Sequence, residues 1–398
     1  MKRFILFFLL LSALLPVRAW ETDSLQVSLL TVMPRPNEVY TIYGHTALRI
    51  QDPVQKIDAV FNWGTFDFNT PHFLYRFVKG ETDYFLSVSD YDRFIYVYSL
   101  GNADIVEQLL AVSPEGKTEI MNRLSTNLQP ENLIYRYNFL FDNCTTRIRD
   151  LIEQGSDGRL VYPEQTEIVT FRDLIHSCTN PYPWMTFGID LLIGSGADSL
   201  ISVRQELFLP EKLMNAVDKS PLIIASNQVL TSLPEPVSEQ RFWDSPLKIG
   251  FLILLIYITL AAAGIVSRIK RSKPFSIFHF PFSILFLIAG LAGCIVAFTT
   301  LFSYHPCTSP NWNLLWLHPF HLIAFVGYLF KKSYRFISWY HAVNLVLLSV
   351  LLLGGYWIPQ QLNPANIPFI LCLGLASGCY WVYGARGKGC TTKNGRLI

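Results

Sequence analysis

The stretch Asp142-Asn143-Cys144-Thr145-Thr146-Arg147-Ile148-Arg149-Asp150-Leu151-Ile152 puts a cysteine where a loop turns into an amphipathic helix. Ile148, Leu151 and Ile152 recur at helical spacing on one face. Asp142 or Asn143 can cap that helix, because a short polar side chain accepts a free backbone N–H of the first turn. Cys144 then lies where the positive end of the helix dipole favours a thiolate. A thiolate is a nucleophile, and its chemistry needs a base to take the proton and a group to hold that base in one tautomer. The plainer alternative is a disulfide between Cys144 and Cys178.

Histidine is the natural base. His45 sits in Tyr43-Gly44-His45-Thr46 on a strand-like segment, and Gly44 leaves room for another group to approach closely. A half-buried structural histidine is the alternative. His72 and His176 stand in helical or loop contexts without comparable surroundings. Asn313, His318 and His321 fall near the outer end of an apolar stretch, where burial in lipid is costly for polar groups. Anchoring at the bilayer interface beside Trp312 and Trp316 would explain them equally. No His-Glu-x-x-His or Cys-x-x-Cys spacing occurs, so neither a metal site nor a cofactor is expected.

The elements that must position these residues divide into two kinds. Residues 20–167 read as an α+β domain. Leu25–Val32, Val39–Ile50, Ile57–Phe66, Tyr84–Val88 and Arg93–Ser99 have strand composition, and Ile134–Leu140 is a strand leading into the Cys144 helix. Helices are expected over Pro71–Val78 and Pro114–Asn127, the latter entered through Ser113-Pro114-Glu115. Residues 168–229 look mostly helical, as a cap or bridge, and residues 230–247 read as a linker.

Beyond it lies a membrane domain, residues 248–398. Apolar stretches at 248–267, 281–303, 312–330, 338–358 and 366–385 each approach the ~20 residues a helix needs to cross a bilayer. All 30 acidic residues lie at or before Asp244, whereas 12 of the 32 Lys and Arg lie beyond it. The near-neutral total therefore hides an acidic outer domain and a basic membrane domain, and gives no basic soluble face for nucleic acid. Arg268, Lys270, Arg271 and Lys273, then Lys331, Lys332 and Arg335, then Arg386, Lys388, Lys393 and Arg396 follow alternate stretches. The two intervening loops carry no Lys or Arg, which places residues 20–247 outside and the C-terminus in the cytoplasm. Lys2 and Arg3 before an apolar run, with Val17-Arg18-Ala19 after it, read as a signal peptide over 1–19. Cys144, Cys178 and Cys307 would face the oxidising side, an odd number that leaves at least one unpaired within the chain.

A His on an early strand, a polar residue on the next, and Asn-Cys opening a helix resemble the circularly permuted NlpC/P60 (papain-like) enzymes. Tyr43-Gly44-His45-Thr46, Phe61-Asn62-Trp63-Gly64-Thr65-Phe66-Asp67 and Tyr137-Asn138-Phe139-Leu140-Phe141-Asp142-Asn143-Cys144-Thr145-Thr146-Arg147 more closely resemble the Lnb family. Those are bacterial lipoprotein N-acyltransferases with a multispan C-terminal part. Phe187–Leu192 and Asn313–Trp316 extend the resemblance into both halves. It implies a permuted papain-like outer domain followed by an all-α five-span domain at the inner membrane. It also implies a phospholipid acyl donor, a diacylglyceryl lipoprotein acceptor, Cys144 as nucleophile and His45 as base. The third member is Asn62, with Asp67 in reserve. The oxyanion would be held by the Cys144 N–H, aided by Tyr43 or Asn143, and Asn313 and His318 are substrate-side candidates. Arg147 and Arg149 either touch a lipid phosphate or pair with their neighbours. A hydrolase of peptidoglycan or lipid acyl bonds, and a non-catalytic scaffold with Cys144 in a disulfide, remain the other readings.

Overall fold

The computed structural model describes residues 24–35, 41–233, 241–269, 279–329 and 334–384. The expected signal peptide, the middle of the linker, the basic residues Lys270, Arg271, Lys273, Lys331 and Lys332, and the C-terminal basic cluster lie outside the described residues.

The first domain is mixed α/β, built on a seven-stranded sheet in the order β6-β4-β3-β2-β1-β5-β7 with every neighbouring pair antiparallel. Its first elements are β1 (Gln26–Val32), a 3₁₀ turn at Thr41–Tyr43, β2 (His45–Asp52) and β3 (Ile57–Thr65). Then come α1 (Phe73–Lys79), β4 (Asp83–Asp90), α2 (Tyr91–Leu100), β5 (Ile105–Leu110), α3 (Pro114–Asn127), β6 (Ile134–Arg136) and α4 (Cys144–Gly155). Strand β2 buries Leu48 and Ile50 on one face, and α4 lays Ile148 and Ile152 into the same core with Val27, Leu29 and Ile120; Ala47, on the other face, packs with Leu30, Val60 and Phe94. Ile148 is fully buried, so truncating it to alanine would cost about 2–5 kcal/mol.

Three readings of this domain are corrected. Arg93–Ser99, expected as a strand, lies within helix α2. Its aromatic and β-branched composition mimics a strand, but Phe94 and Tyr98, one helical turn apart, pack together with ring centroids at 4.7 Å. Ile134–Leu140 pairs only as far as Arg136; beyond it the chain turns, with Asn138 and Asp142 bridging across a tight loop. Likewise, the described part of the Val39–Ile50 segment is a 3₁₀ turn at Thr41–Tyr43 and a strand from His45, while Val39 and Tyr40 lie outside the described residues.

Residues 168–222 form helices as expected: α5 (Phe171–Thr179), α6 (Pro183–Leu192), α7 (Val203–Glu206) and α8 (Pro210–Asp218). The last part of that helical expectation fails, because β7 (Ile223–Leu230) adds to the edge of the sheet beside β5. Its polar run Ser226–Gln228 is exposed on an edge strand, which hides it from a hydrophobic pattern.

The second domain is helical: α9 (Pro246–Ile269), α10 (His279–Phe302), α11 (His321–Leu329), α12 (Tyr334–Gly354) and α13 (Asn366–Gly384). Among the described residues, Pro246–Val266, Phe280–Phe302 and Phe336–Trp357 are long and apolar enough to cross a membrane, and Asn366–Val382 is a shorter apolar helix. The expected span 312–330 is not one helix. A 3₁₀ turn at Trp312–Leu315 precedes Pro319, and α-helix begins only at His321. Proline lacks the N–H that a continuous helix would need there.

Candidate active site

Helix α4 begins at the cysteine because Asn143 ends the loop in extended geometry and caps it. Asn143 Oδ1 accepts from the N–H of Thr145 (2.9 Å) and Thr146 (2.8 Å), and Thr146 Oγ1 accepts from Asn143 N–H at 2.8 Å. The Cys144 N–H itself makes no hydrogen bond among the described residues, so a first-turn donor is left beside the sulfur.

His45 opens β2 and Asn62 lies on β3, at the edge of an irregularity in the β3–β4 pairing between Asn62 and Thr65. Such a bulge re-aims side chains. His45 Nε2–H donates to Asn62 Oδ1 at 3.1 Å, which leaves Nδ1 as the basic nitrogen. His45 also hydrogen-bonds the Cys144 sulfur. Two glycines make the approach possible. Gly44 has φ +76°, and a Cβ there would meet the Val32 carbonyl at 2.6 Å. Gly64 has φ +92°, and a Cβ there would lie 3.7 Å from both Cys144 Cβ and the Tyr137 ring.

The electrostatics follow from this contact. Burial opposes the Cys144 thiolate, but the His45 charge and hydrogen bond, the Thr46 N–H and the Thr145 hydroxyl outweigh it and bring the thiol below its ordinary pKa. For His45, burial opposes the imidazolium, and the Cys144 charge with hydrogen bonds to Cys144 and Asn62 outweighs burial and raises the pKa. Both shifts favour a thiolate–imidazolium pair. The Cys144 side chain is 8% exposed and unbridged; Cys178 and Cys307 are free too. The disulfide alternative is therefore not what the structure contains.

The remaining sequence candidates fall elsewhere. Asp67 is exposed and holds a turn through Asn69 N–H and Nδ2, so it does not meet His45. Asn143 donates its Nδ2 hydrogens to the Phe139 and Phe208 carbonyls, leaving no side-chain donor for an oxyanion. Tyr43 packs edge-on against Phe139 at 4.7 Å, and burial with nearby Cys178 pushes its phenol well above the usual value. Asn313 and His318 lie in the second domain. Asn313 Nδ2 donates to the Asp190 carbonyl, and His318 meets Asn344 Oδ1 at 3.3 Å. Arg147 pairs with Asp142 at 2.6 Å and Arg149 with Asp150 at 2.6 Å, so both serve neighbours.

Sequence reading missed Tyr98, whose ring lies nearly parallel to His45 with centroids 6.3 Å apart, and Arg35, whose guanidinium is 5.4 Å from the Tyr98 ring centroid. Treating 91–100 as a helix would have put Phe94 and Tyr98 on one face and drawn notice to Tyr98. A ladder of aromatic rings also runs away from the thiol. Tyr137 stacks on Tyr84 (4.3 Å), Tyr84 meets Phe66 (5.1 Å), and Phe66 stacks on Phe73 of α1 (5.8 Å). Helix α1 buries none of its residues, and its Tyr75 meets Phe298 of α10 with ring centroids 6.1 Å apart.

Two family models match the chain in sequence order. The Lnb N-terminal periplasmic domain matches residues 17–177, and the Lnb transmembrane domain matches residues 238–386. The chain belongs to the Lnb family. Membership makes it a membrane-associated, lipoprotein-processing type of protein with a periplasmic domain joined to a transmembrane one, and it points to an enzyme. No curated protein and no solved structure matches it.

Proposed function

We propose that this Lnb protein is a lipoprotein N-acyltransferase working through a thioester on Cys144. The observation that carries the reading is the Cys144–His45–Asn62 contact, with a free cysteine N–H at one end and the aromatic ladder toward the membrane helices at the other. The Cys144 thiolate attacks the carbonyl carbon of a phospholipid ester, and the Cys144 N–H faces the developing oxyanion. The C–O bond breaks, His45 gives its proton to the departing glycerol oxygen, and an acyl-thioester and a lysophospholipid result. The α-amino group of a diacylglyceryl-cysteine then attacks the thioester, His45 takes its proton, the C–S bond breaks and the thiolate returns. Asn62 holds the imidazole in the tautomer that keeps Nδ1 toward sulfur.

The fold behind this is a permuted papain-like domain on five spans at the inner membrane, with the C-terminus in the cytoplasm. Helix α1 supports lipid over peptidoglycan. Leu74, Tyr75 and Phe77 are exposed on it, and the loop after α10 is tied to it, Tyr304 N–H donating to the Lys79 carbonyl at 2.8 Å. Apolar and aromatic side chains at the end of a membrane helix belong at the bilayer interface, where the acyl donor lies. Asn313 and His318, buried between or within the helices, act there as supports for the docked domains.

The test is mass spectrometry of the host's lipoproteins. A deletion strain loses the N-acyl chain, wild type restores it, and Cys144→Ser does not. Full N-acylation in a deletion strain free of a redundant enzyme overturns the reading.

A further inference from the structure

The two arginines that follow Cys144 in sequence are spent on neighbouring carboxylates, Arg147 on Asp142 and Arg149 on Asp150. Arg35 differs. It forms no ion pair among the described residues, and its one side-chain hydrogen bond runs from Nη1 to the Gly101 carbonyl at 2.7 Å. Nε is enclosed and has no partner, so it cannot reach a ligand. The residue is half-buried, and Nη2 with the second Nη1 hydrogen is what remains open. Those terminal nitrogens form the edge of a guanidinium that can take two oxygens of a phosphate.

Backbone contacts fix where Arg35 stands. Its N–H donates to the Thr41 carbonyl at 2.9 Å, and its carbonyl accepts from the Thr41 hydroxyl at 3.0 Å. Val32, at the end of β1, pairs with both His45 and Ile105. Arg35 therefore leaves the sheet at the end where His45 lies and from which α1 departs after β3. That end meets the membrane helices, through α1 and the loop after α10. The Tyr98 ring neighbours both cations, its centroid 5.4 Å from the guanidinium carbon and 6.3 Å from the imidazole centroid. Gly101 makes room for this placement, since a Cβ there would lie 2.3 Å from Nη1. Capping the end of α2 accounts for the Gly101 bond. It leaves unexplained a partly buried cation with no opposite charge beside His45, an arrangement that costs free energy unless an anion completes it.

We propose that Arg35 binds the phosphodiester of the acyl-donor lipid while the ester carbonyl lies at Cys144. In a glycerophospholipid only the glycerol backbone separates the reacting ester from the phosphate. That short reach suits a thiol bonded to His45 and a guanidinium close enough for its charge to act on the same imidazole. A diacylglyceryl-cysteine carries a thioether in place of the phosphate, so the contact also tells donor from acceptor. The inference rests on the acyl-transfer reading and names what its donor must carry; binding is nevertheless measured without turnover.

The experiment uses the full chain in detergent and follows alkylation of Cys144 by iodoacetamide, with each variant's rate taken relative to its own rate without lipid. The probes are ether-linked phosphatidylethanolamine and phosphatidylglycerol, which offer no ester to cleave, a dialkylglycerol that lacks the phosphate, and inorganic phosphate. Both ether phospholipids are expected to protect Cys144 at least about fivefold better than the dialkylglycerol. Arg35→Gln abolishes that difference, and Arg35→Lys, which keeps the charge without the fork, retains part of it. Gly101→Ala pushes the guanidinium aside with its charge intact and reduces the difference severalfold. The wild-type comparison and Gly101→Ala keep the test decisive if Arg35→Gln misfolds. Equal protection by the dialkylglycerol, no protection by any lipid, or an undiminished difference in Arg35→Gln overturns the proposal. Protection by inorganic phosphate as strong as by the lipids also overturns it, because the anion would then bind without its chains. Failed lipoprotein N-acylation with Arg35-dependent protection intact counts against the reaction and not against this site; N-acylation without that dependence counts against the site alone.

Discussion

At Cys144 the decisive quantity is the proton. Burial in an aromatic pocket would by itself keep a thiol neutral; the contact with His45 reverses that, and the two side chains shift in opposite senses. The thiolate therefore persists as pH falls until the lowered Cys144 pKa is crossed, and the imidazolium persists as pH rises until the raised His45 pKa is crossed. Alkylation of Cys144 by iodoacetamide should thus remain fast below the ~8.5 of a free thiol. His45→Ala should shift that midpoint upward and slow labelling at pH 7 by at least about tenfold. Peptide mapping after timed labelling reads both, and an unchanged midpoint in His45→Ala would separate the histidine from the thiol's chemistry. Tyr98 and Arg35 complete the surroundings of the imidazole, and the Arg35 charge works against its protonation.

At the scale of elements, the site depends on where three pieces of backbone stop or bend. Helix α4 starts at Cys144 because Asn143 caps it; β2 starts at His45 because Gly44 takes a left-handed turn under the Val32 carbonyl; β3 bulges after Asn62. Asn143→Ala removes the Oδ1 that accepts two cap hydrogen bonds and the Nδ2 that donates to two backbone carbonyls, so it should destabilise the chain by about 2 kcal/mol or more. Asn143→Asp keeps the cap oxygens and should lose less. Thermal unfolding of the detergent-solubilised chain checks the order wild type, then Asp, then Ala. A helix start and a strand with a histidine were legible locally, because capping and alternation act within a few residues. The nature of α2 was not, since aromatic and β-branched residues suit a helix once one face is packed, and Phe94 with Tyr98 supplies that face.

Taken as a whole molecule, the two domains are locked by polar groups where an apolar interface would be expected. Asn313, Asn311 and Gln360 of the membrane domain donate to the carbonyls of Asp190, Leu191, Leu192 and Ile193, while Arg172 and Asn363 converge on the Asp190 carboxylate. These bonds satisfy the C-terminal carbonyls of α6 and hold the cap against the helices. If the loop between α12 and α13 is outside, a membrane-impermeant maleimide should label Gln361→Cys in intact cells well above the unsubstituted chain. Labelling only after lysis would reverse the proposed topology.

Composition and charge placement by themselves determined that this chain has a sheet-rich domain and an apolar helical one. They did so because hydrophobic runs and the loss of every acidic residue after Asp244 are properties of sequence alone. Cys144 and His45 were equally legible, as rare side chains in recognisable local settings. What only tertiary structure decided was which groups meet. Asn62 rather than Asp67 faces His45, Asn143 is consumed by the cap, β7 joins the sheet from more than a hundred residues away, and Pro319 splits the third apolar stretch. Such choices depend on register, on bulges and on competition for hydrogen bonds across distant segments, and no local pattern contains them.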